Sequence, residues 1–250
     1  MVVPAESLVL IAAGLVAGTI GAAGGITSLV SYSALLAVGV APLQANVTNL
    51  VAAVACWPGS ALTSRRELVA ARGSLTRMLP VAACAAGVGS LLLLVTPPGV
   101  FSRVVPFLVA LASLALLFQP WLTVQAALRP ERARLLAWPL VGLVSGYGGY
   151  FGAGAGVMLL ALLLVLVDDR LPEANAIKNM LLGVMGLVSA AVFVVAGPVD
   201  WAAAAPLALG LFGGSALGPV IARRLPARAI RWTVVALGFA LAVDLWLGTV

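Results

Sequence analysis

Residues 5–40 read AESLVLIAAGLVAGTIGAAGGITSLVSYSALLAVGV, a stretch in which Glu6 is the sole charged side chain. As one helix it would run roughly 54 Å, whereas a bilayer core is about 30 Å thick. One membrane helix does not need that length. The run is interrupted in its middle by Gly18, Gly21, Gly24 and Gly25, the residue type that leaves a helix most readily. Residues 135–167, LLAWPLVGLVSGYGGYFGAGAGVMLLALLLVLV, repeat the arrangement, with Gly146, Gly148, Gly149, Gly152, Gly154 and Gly156 inside another overlong apolar run. Each stretch reads as a hairpin of two short helices meeting at a glycine-rich tip.

Composition fixes the medium around these helices. Hydrophobic residues make up 63% of the chain and charged residues 9%, against about 25% charged in a soluble domain. Lipid is therefore the covering solvent. Backbone groups in lipid must pair internally, which leaves helices or a closed barrel. Barrel strands alternate apolar and polar residues; the runs here are continuous and rich in Leu, Ala and Val, so helices are expected. The net charge of +6 reports topology rather than nucleic-acid binding, because Lys and Arg collect in cytoplasmic loops.

Six further apolar runs complete the chain: near 43–62, 78–95 and 101–122, then near 173–196, 201–222 and 232–247. The halves repeat each other. Gly14-Leu15-Val16-Ala17-Gly18 matches Gly142-Leu143-Val144-Ser145-Gly146, and Pro42 through Asn49 matches Pro172 through Asn179. Leu79-Pro80 with Gly87 matches Ala205-Pro206 with Gly213, and Arg103 falls opposite Arg231. Eleven of the 14 basic residues lie in three places: Arg65, Arg66, Arg72 and Arg77; a loop with Arg129, Arg132 and Arg134; and Arg223, Arg224, Arg228 and Arg231. Placing all three on the cytoplasmic side requires each broken stretch to cross an even number of times. A hairpin plus three crossings is an odd total, so the halves are inverted. The expected fold is an all-α, polytopic membrane protein of two inverted repeats, 1–128 and 129–250. Each is a Gly-broken helical hairpin plus three transmembrane helices, a pattern typical of secondary transporters.

Two sets of residues suit a solute site. At the tips, Gly24, Gly25, Gly152 and Gly154 allow close approach of backbone, and a half-helix starting there aims free N–H groups at an anion. Thr27 and Ser28 add hydroxyls. The alternative is simple helix packing through small residues. After the equivalent prolines, Asn46, Thr48 and Asn49 follow Pro42, and Asn175, Lys178 and Asn179 follow Pro172. Asn46/Asn49 and Asn175/Lys178/Asn179 each share a helix face. Those faces either meet the tips or cap helix ends. Lys178 either supplies charge to a buried site or snorkels to the interface. Asp244 reads as interfacial, Trp201, Trp232 and Trp246 as interface anchors, and Cys56 and Cys84 as small packing residues.

The chain contains no histidine. No paired carboxylate in an apolar run, no Ser-His or Cys-His arrangement and no phosphate-binding loop is present. Neither an enzyme nor a metal or other cofactor is expected.

The segments Gly14…Gly25, Gln44-Ala45-Asn46-Val47-Thr48-Asn49, Arg65…Gly89 and Ala174-Asn175-Ala176-Ile177-Lys178 together resemble the sulfite exporter TauE/SafE family, also called the toluene sulfonate uptake permeases. The resemblance covers nearly the whole chain. It implies a multi-pass protein of the cytoplasmic membrane that moves sulfite, a sulfonate or a related small anion. Many members have Thr-Asn-Lys after the first proline; here Thr48-Asn49 is followed by Leu50, and Lys178 stands in the second half. Expected partners are the anion and membrane lipid; a homodimer stays open. A passive anion channel and a non-transporting assembly subunit are the alternative functions.

Overall fold

The computed structural model describes residues 4–24, 26–58, 68–69, 72–127, 130–166, 171–222 and 227–247. Regular structure among them is helical throughout. In chain order the helices are α1 (Pro4–Gly24), α2 (Thr27–Ala37), α3 (Pro42–Ala53, followed by a 3₁₀ turn Val54–Cys56), α4 (Arg72–Val95) and α5 (Pro98–Ala127). Then come α6 (Pro130–Tyr150), α7 (Ala155–Leu166), α8 (Leu171–Ala196), α9 (Trp201–Ala222) and α10 (Ala227–Leu247).

Among the described residues, three helical segments are long and apolar enough to cross a membrane: Leu75–Val95, Pro98–Phe118 and Glu173–Ala196. Their outer faces are apolar. Leu91, Leu92, Phe107 and Val195 are all exposed, while Ser90, Ser113, Ser189 and Lys178 are buried. That is the reverse of a water-soluble fold and the pattern lipid requires. Trp201, Trp232 and Trp246 are exposed as well. Cys84 is exposed, not packed in the interior.

Both overlong stretches break. α2 has 11 residues and α7 has 12, roughly 17 and 18 Å, too short to span alone. The breaks are narrower than the glycine clusters. Gly21 and Gly24 lie within α1, and Gly148 and Gly149 within α6. The first break falls between Gly24 and Thr27, with Ile26 outside both helices, and the second at 151–154. Upstream glycines instead let helices touch. A Cβ on Gly149 would lie 2.1 Å from the carbonyl oxygen of Ala86, and one on Gly89 2.0 Å from that of Gly146. No side chain fits at either. The basic segment at 129–134, expected to be a loop, differs too: Arg132 and Arg134 belong to α6, which starts at Pro130. Proline is pre-organised for a helix start, and a helix can leave the apolar layer without ending. Arg65, Arg66, Arg129, Arg223 and Arg224 lie outside the described residues.

The closest packing joins helices of different halves. α1 lies along α9 and α4 along α6. A Cβ on Gly14 would lie 2.6 Å from Leu207 O, and on Gly18 2.5 Å from Leu211 O, so α1 and α9 run parallel. Gly142 faces Val81 and Gly146 faces Ala85, so α4 and α6 also run parallel. Thr48 meets Asp200 and Cys56 meets Leu211, which sets α3 parallel to α9.

Candidate functional site

The two breaks meet around a cavity of about 100 Å³. From the first half, Gly21, Thr27 and Ser28 line it at the α1/α2 break, and Leu50, Ala53, Cys56 and Trp57 along α3 and its extension. From the second half come Gly148, Gly152 and Ala155 at the α6/α7 break, and Asn179, Leu182, Gly183, Met185 and Gly186 along α8. Ser215 of α9 completes the wall.

Local chemistry explains the shape of the breaks. Gly152 and Gly154 have φ of +82° and +78°, a region L side chains rarely adopt. A Cβ on Gly152 would lie 2.7 Å from Leu50 Cδ2, and one on Gly154 2.8 Å from Ala112 Cβ. Between them the chain is pinned by side chains. The Tyr147 hydroxyl donates to Ala153 O at 2.7 Å. Phe151 is buried against Tyr32, edge-on at 5.4 Å, and near Phe101 and Tyr147. At the first break, a Cβ on Gly21 would overlap the Thr27 hydroxyl, so the missing side chain is what seats Thr27.

Thr27 and Ser28 are the first residues of α2, and Ala155 the first of α7. Both short helices therefore begin at the cavity. The N-cap residue of α2, Ile26, makes no side-chain capping bond. Helix starts carry partial positive charge and suit anions. Among the described lining residues no side chain is charged; the hydroxyl and amide side chains are Thr27, Ser28, Asn179 and Ser215. The opposite wall is apolar. The Trp57 indole fills the notch at Gly183, where a Cβ would come 2.0 Å from the ring.

Of the residues expected to form a site, Thr27, Gly152 and Asn179 line this cavity. Gly24 ends α1, and Gly25 lies outside the described residues. Gly154 is held against α5. Asn46, Thr48, Asn49 and Lys178 are fully buried but are not cavity-lining. Asn46 Nδ2 donates to the Tyr150 carbonyl at 2.8 Å. Thr48 accepts the Asp200 N–H at 3.0 Å, while Asp200 Oδ1 accepts the N–H of Ala203 in the first turn of α9. Asn49 Oδ1 accepts from Ser31 at 2.5 Å. Lys178 Nζ donates to Asn175 Oδ1 at 2.7 Å. Lys178 lies one and two turns before the lining residues Leu182 and Gly186 on one helix face, and its ammonium reaches back along α8 to Asn175. Cys56, Trp57, Met185, Gly183 and Ser215 were not legible as lining residues. Apolar and small residues look the same in a sequence whether they face lipid or a cavity.

Residues 8–245 match the family described as "Sulfite exporter TauE/SafE". The chain belongs to that family. It is a membrane protein of a transporter family, in keeping with its apolar helices. It is 26% identical over 242 residues to a "Probable membrane transporter protein" of Haemophilus influenzae, covering 95% of this chain and 93% of that one. It is 29% identical over 244 residues to a "Probable membrane transporter protein" of Sinorhizobium, covering 94% and 90%. A "Probable membrane transporter protein" of Escherichia coli K12 is 26% identical over 220 residues, covering 87% and 81%. No solved structure matches the chain.

Proposed function

We propose that this TauE/SafE protein is a secondary transporter that moves a small anion, such as sulfite or an organosulfonate, across the cytoplasmic membrane by alternating access. The observation that carries this reading is the cavity walled by both halves, at which both short helices α2 and α7 begin. Two helix starts and four neutral polar side chains offer an anion N–H and O–H donors. Lys178, the charged residue nearest along α8, supplies compensating charge once it leaves Asn175.

Helix directions support an inverted relation of repeats 1–128 and 129–250. α3 and α8 begin at the matching segments Pro42–Asn49 and Pro172–Asn179. α3 runs parallel to α9, and α9 follows α8 after residues 197–200 only. Two long helices joined so briefly run back on each other, so α3 and α8 are opposed. Val54 opposite Gly186 and Trp57 opposite Gly183 agree. The exchange of partners points the same way: Gly14 and Gly18 pack on α9 as Gly142 and Gly146 pack on α4. Rocking one repeat against the other would open the shared cavity to alternate sides.

The test is uptake of sulfite, thiosulfate and taurine into liposomes containing the purified protein. Saturable flux of at least one anion, strongly reduced by Asn179→Ala and by Thr27→Val, is the expected result. Flux of none of them, or variants that behave as wild type, contradicts the reading.

A further inference from the structure

The cavity is not the sole polar spot between the halves. Behind it, where α2, α3 and the end of α6 meet, lies a second group of oxygen atoms. The Ser31 hydroxyl is 2.9 Å from Thr27 O and 2.5 Å from Asn49 Oδ1. One turn before Asn49 on the same face of α3, Asn46 binds the Tyr150 carbonyl through Nδ2. Its own carbonyl oxygen, Oδ1, is buried with no hydrogen-bond donor, and Asn49 Nδ2 is buried with no acceptor. Both residues are fully buried. Buried polar atoms without partners are uncommon, because each loses its hydration without return.

Ser31 has one hydroxyl hydrogen and two acceptors in range. If the Asn49 amide turns over, Nδ2 donates to Ser31 Oγ, Ser31 donates to Thr27 O, and Asn49 Oδ1 is released. Amide oxygen and nitrogen are nearly the same size, so the two orientations fill the same space. Asn46 Oδ1 and Asn49 Oδ1 then both present lone pairs from side chains whose Cβ atoms are about 5–6 Å apart. The surroundings favour positive charge. Tyr150 is the last residue of α6, so the partial negative charge of that helix end falls here.

We infer that Asn46 and Asn49, with the Tyr150 carbonyl and Ser31 beside them, form a binding site for a small monovalent cation, sodium, distinct from the cavity. The ligand chemistry selects the ion. A proton has no carrier at this spot: amides, hydroxyls and backbone carbonyls do not protonate at physiological pH. The tyrosine hydroxyls of the surrounding residues are engaged elsewhere: Tyr32 and Tyr147 donate to Pro42 O and Ala153 O, and Tyr150 to Thr96. A divalent ion would need carboxylates to offset its dehydration, and the one charged residue among the buried described residues is Lys178, a cation. Neutral oxygens at a helix end suit Na⁺, just as helix starts suit an anion. Thr27 joins the two sites, its position lining the cavity and its carbonyl bonding Ser31. Occupancy of one site therefore biases the other, and the coupling is reciprocal. The cation site does not rest on which anion is moved.

The test is binding of ²²Na⁺ to the purified detergent-solubilised protein, with unlabelled Na⁺, K⁺ and choline as competitors. We expect saturable binding near one ion per chain, displaced by Na⁺ and not by choline. Asn46→Ala should weaken it at least tenfold. Because Asn46 also braces α6, Asn49→Asp serves as a second variant. It keeps the Ser31 contact and adds charge, so it should tighten binding severalfold while the protein stays monodisperse. Absence of saturable binding to the folded wild type overturns the site, and so does Asn49→Asp binding with unchanged affinity. Anion flux in liposomes is read separately: flux without Na⁺ binding overturns the cation site alone, whereas Na⁺ binding without anion flux leaves it standing and removes the anion reading.

Discussion

Asn46, near the start of α3, donates its side-chain amide to the carbonyl of Tyr150, 104 residues further along, at 2.8 Å. This bond ties one half of the chain to the place where the other half breaks. Tyr150 ends α6, where carbonyls lack partners within the helix, and Asn46 supplies one from the other half of the chain. Replacing Asn46 by Ala leaves that part-buried carbonyl without this donor. The expected loss is about 1–3 kcal/mol of stability, seen as a lower melting temperature in detergent. An unchanged melting temperature would mean the bond is not formed in the folded protein.

Glycine positions on α4 make a sharper comparison. A Cβ on Gly87 would lie 3.4 Å from Val188 Cγ1, an ordinary contact, whereas one on Gly89 would lie 2.0 Å from the backbone oxygen of Gly146. Side chains can shift a few tenths of an ångström; a helix backbone cannot yield without moving its neighbours. Gly87→Ala should fold and melt as wild type. Gly89→Ala should lose about 1–3 kcal/mol or more, the range for overpacking, or fail to accumulate. Equal behaviour of the two variants would contradict the α4/α6 packing.

The fold was legible to the extent that its signals are local. Two overlong apolar runs with central glycines announce two breaks, because an unbroken helix of that length does not fit a bilayer. Pro42 and Leu171-Pro172 mark helix starts for an equally local reason. The exact break points were not legible. Glycine both ends helices and lets them touch, and only the partner decides: Gly149 touches Ala86, while Gly152 turns the chain. The division of the polar residues was hidden for the same reason. Asn49 and Asn179 are the same residue type at matched places after matched prolines. One accepts a bond from Ser31 and the other lines the cavity, according to which helix packs against each. Lys178 was recognisable as costly in an apolar run, but its bond to Asn175 was not.

Lys178 separates stability from transport. It is fully buried and its ammonium bonds Asn175. A buried charge costs desolvation energy that one amide partner does not fully return. Lys178→Met keeps the length of the side chain and removes the charge. We expect a melting temperature equal to or above that of wild type, together with loss of most anion flux. If flux survives in Lys178→Met, the residue has no part in handling the anion.

Cys56 gives a direct view of the cavity. It lines the space between the breaks, while Cys84 is exposed on α4. In a Cys84→Ser background, a small methanethiosulfonate reagent should modify Cys56 slowly and block transport as it does so. A saturating concentration of a transported anion should slow the modification severalfold. Modification that leaves flux intact would show that solute does not pass this cavity.

Counterflow is the most direct check on the proposed alternating access. Liposomes carrying the protein are loaded with millimolar unlabelled anion, taken from those that show flux, and diluted into a trace of the labelled form. The expected result is a transient overshoot of label inside, saturable in the loaded anion and absent in Asn179→Ala. Label that enters linearly with concentration and never overshoots would mean an open pore, and would contradict a cavity that faces one side at a time.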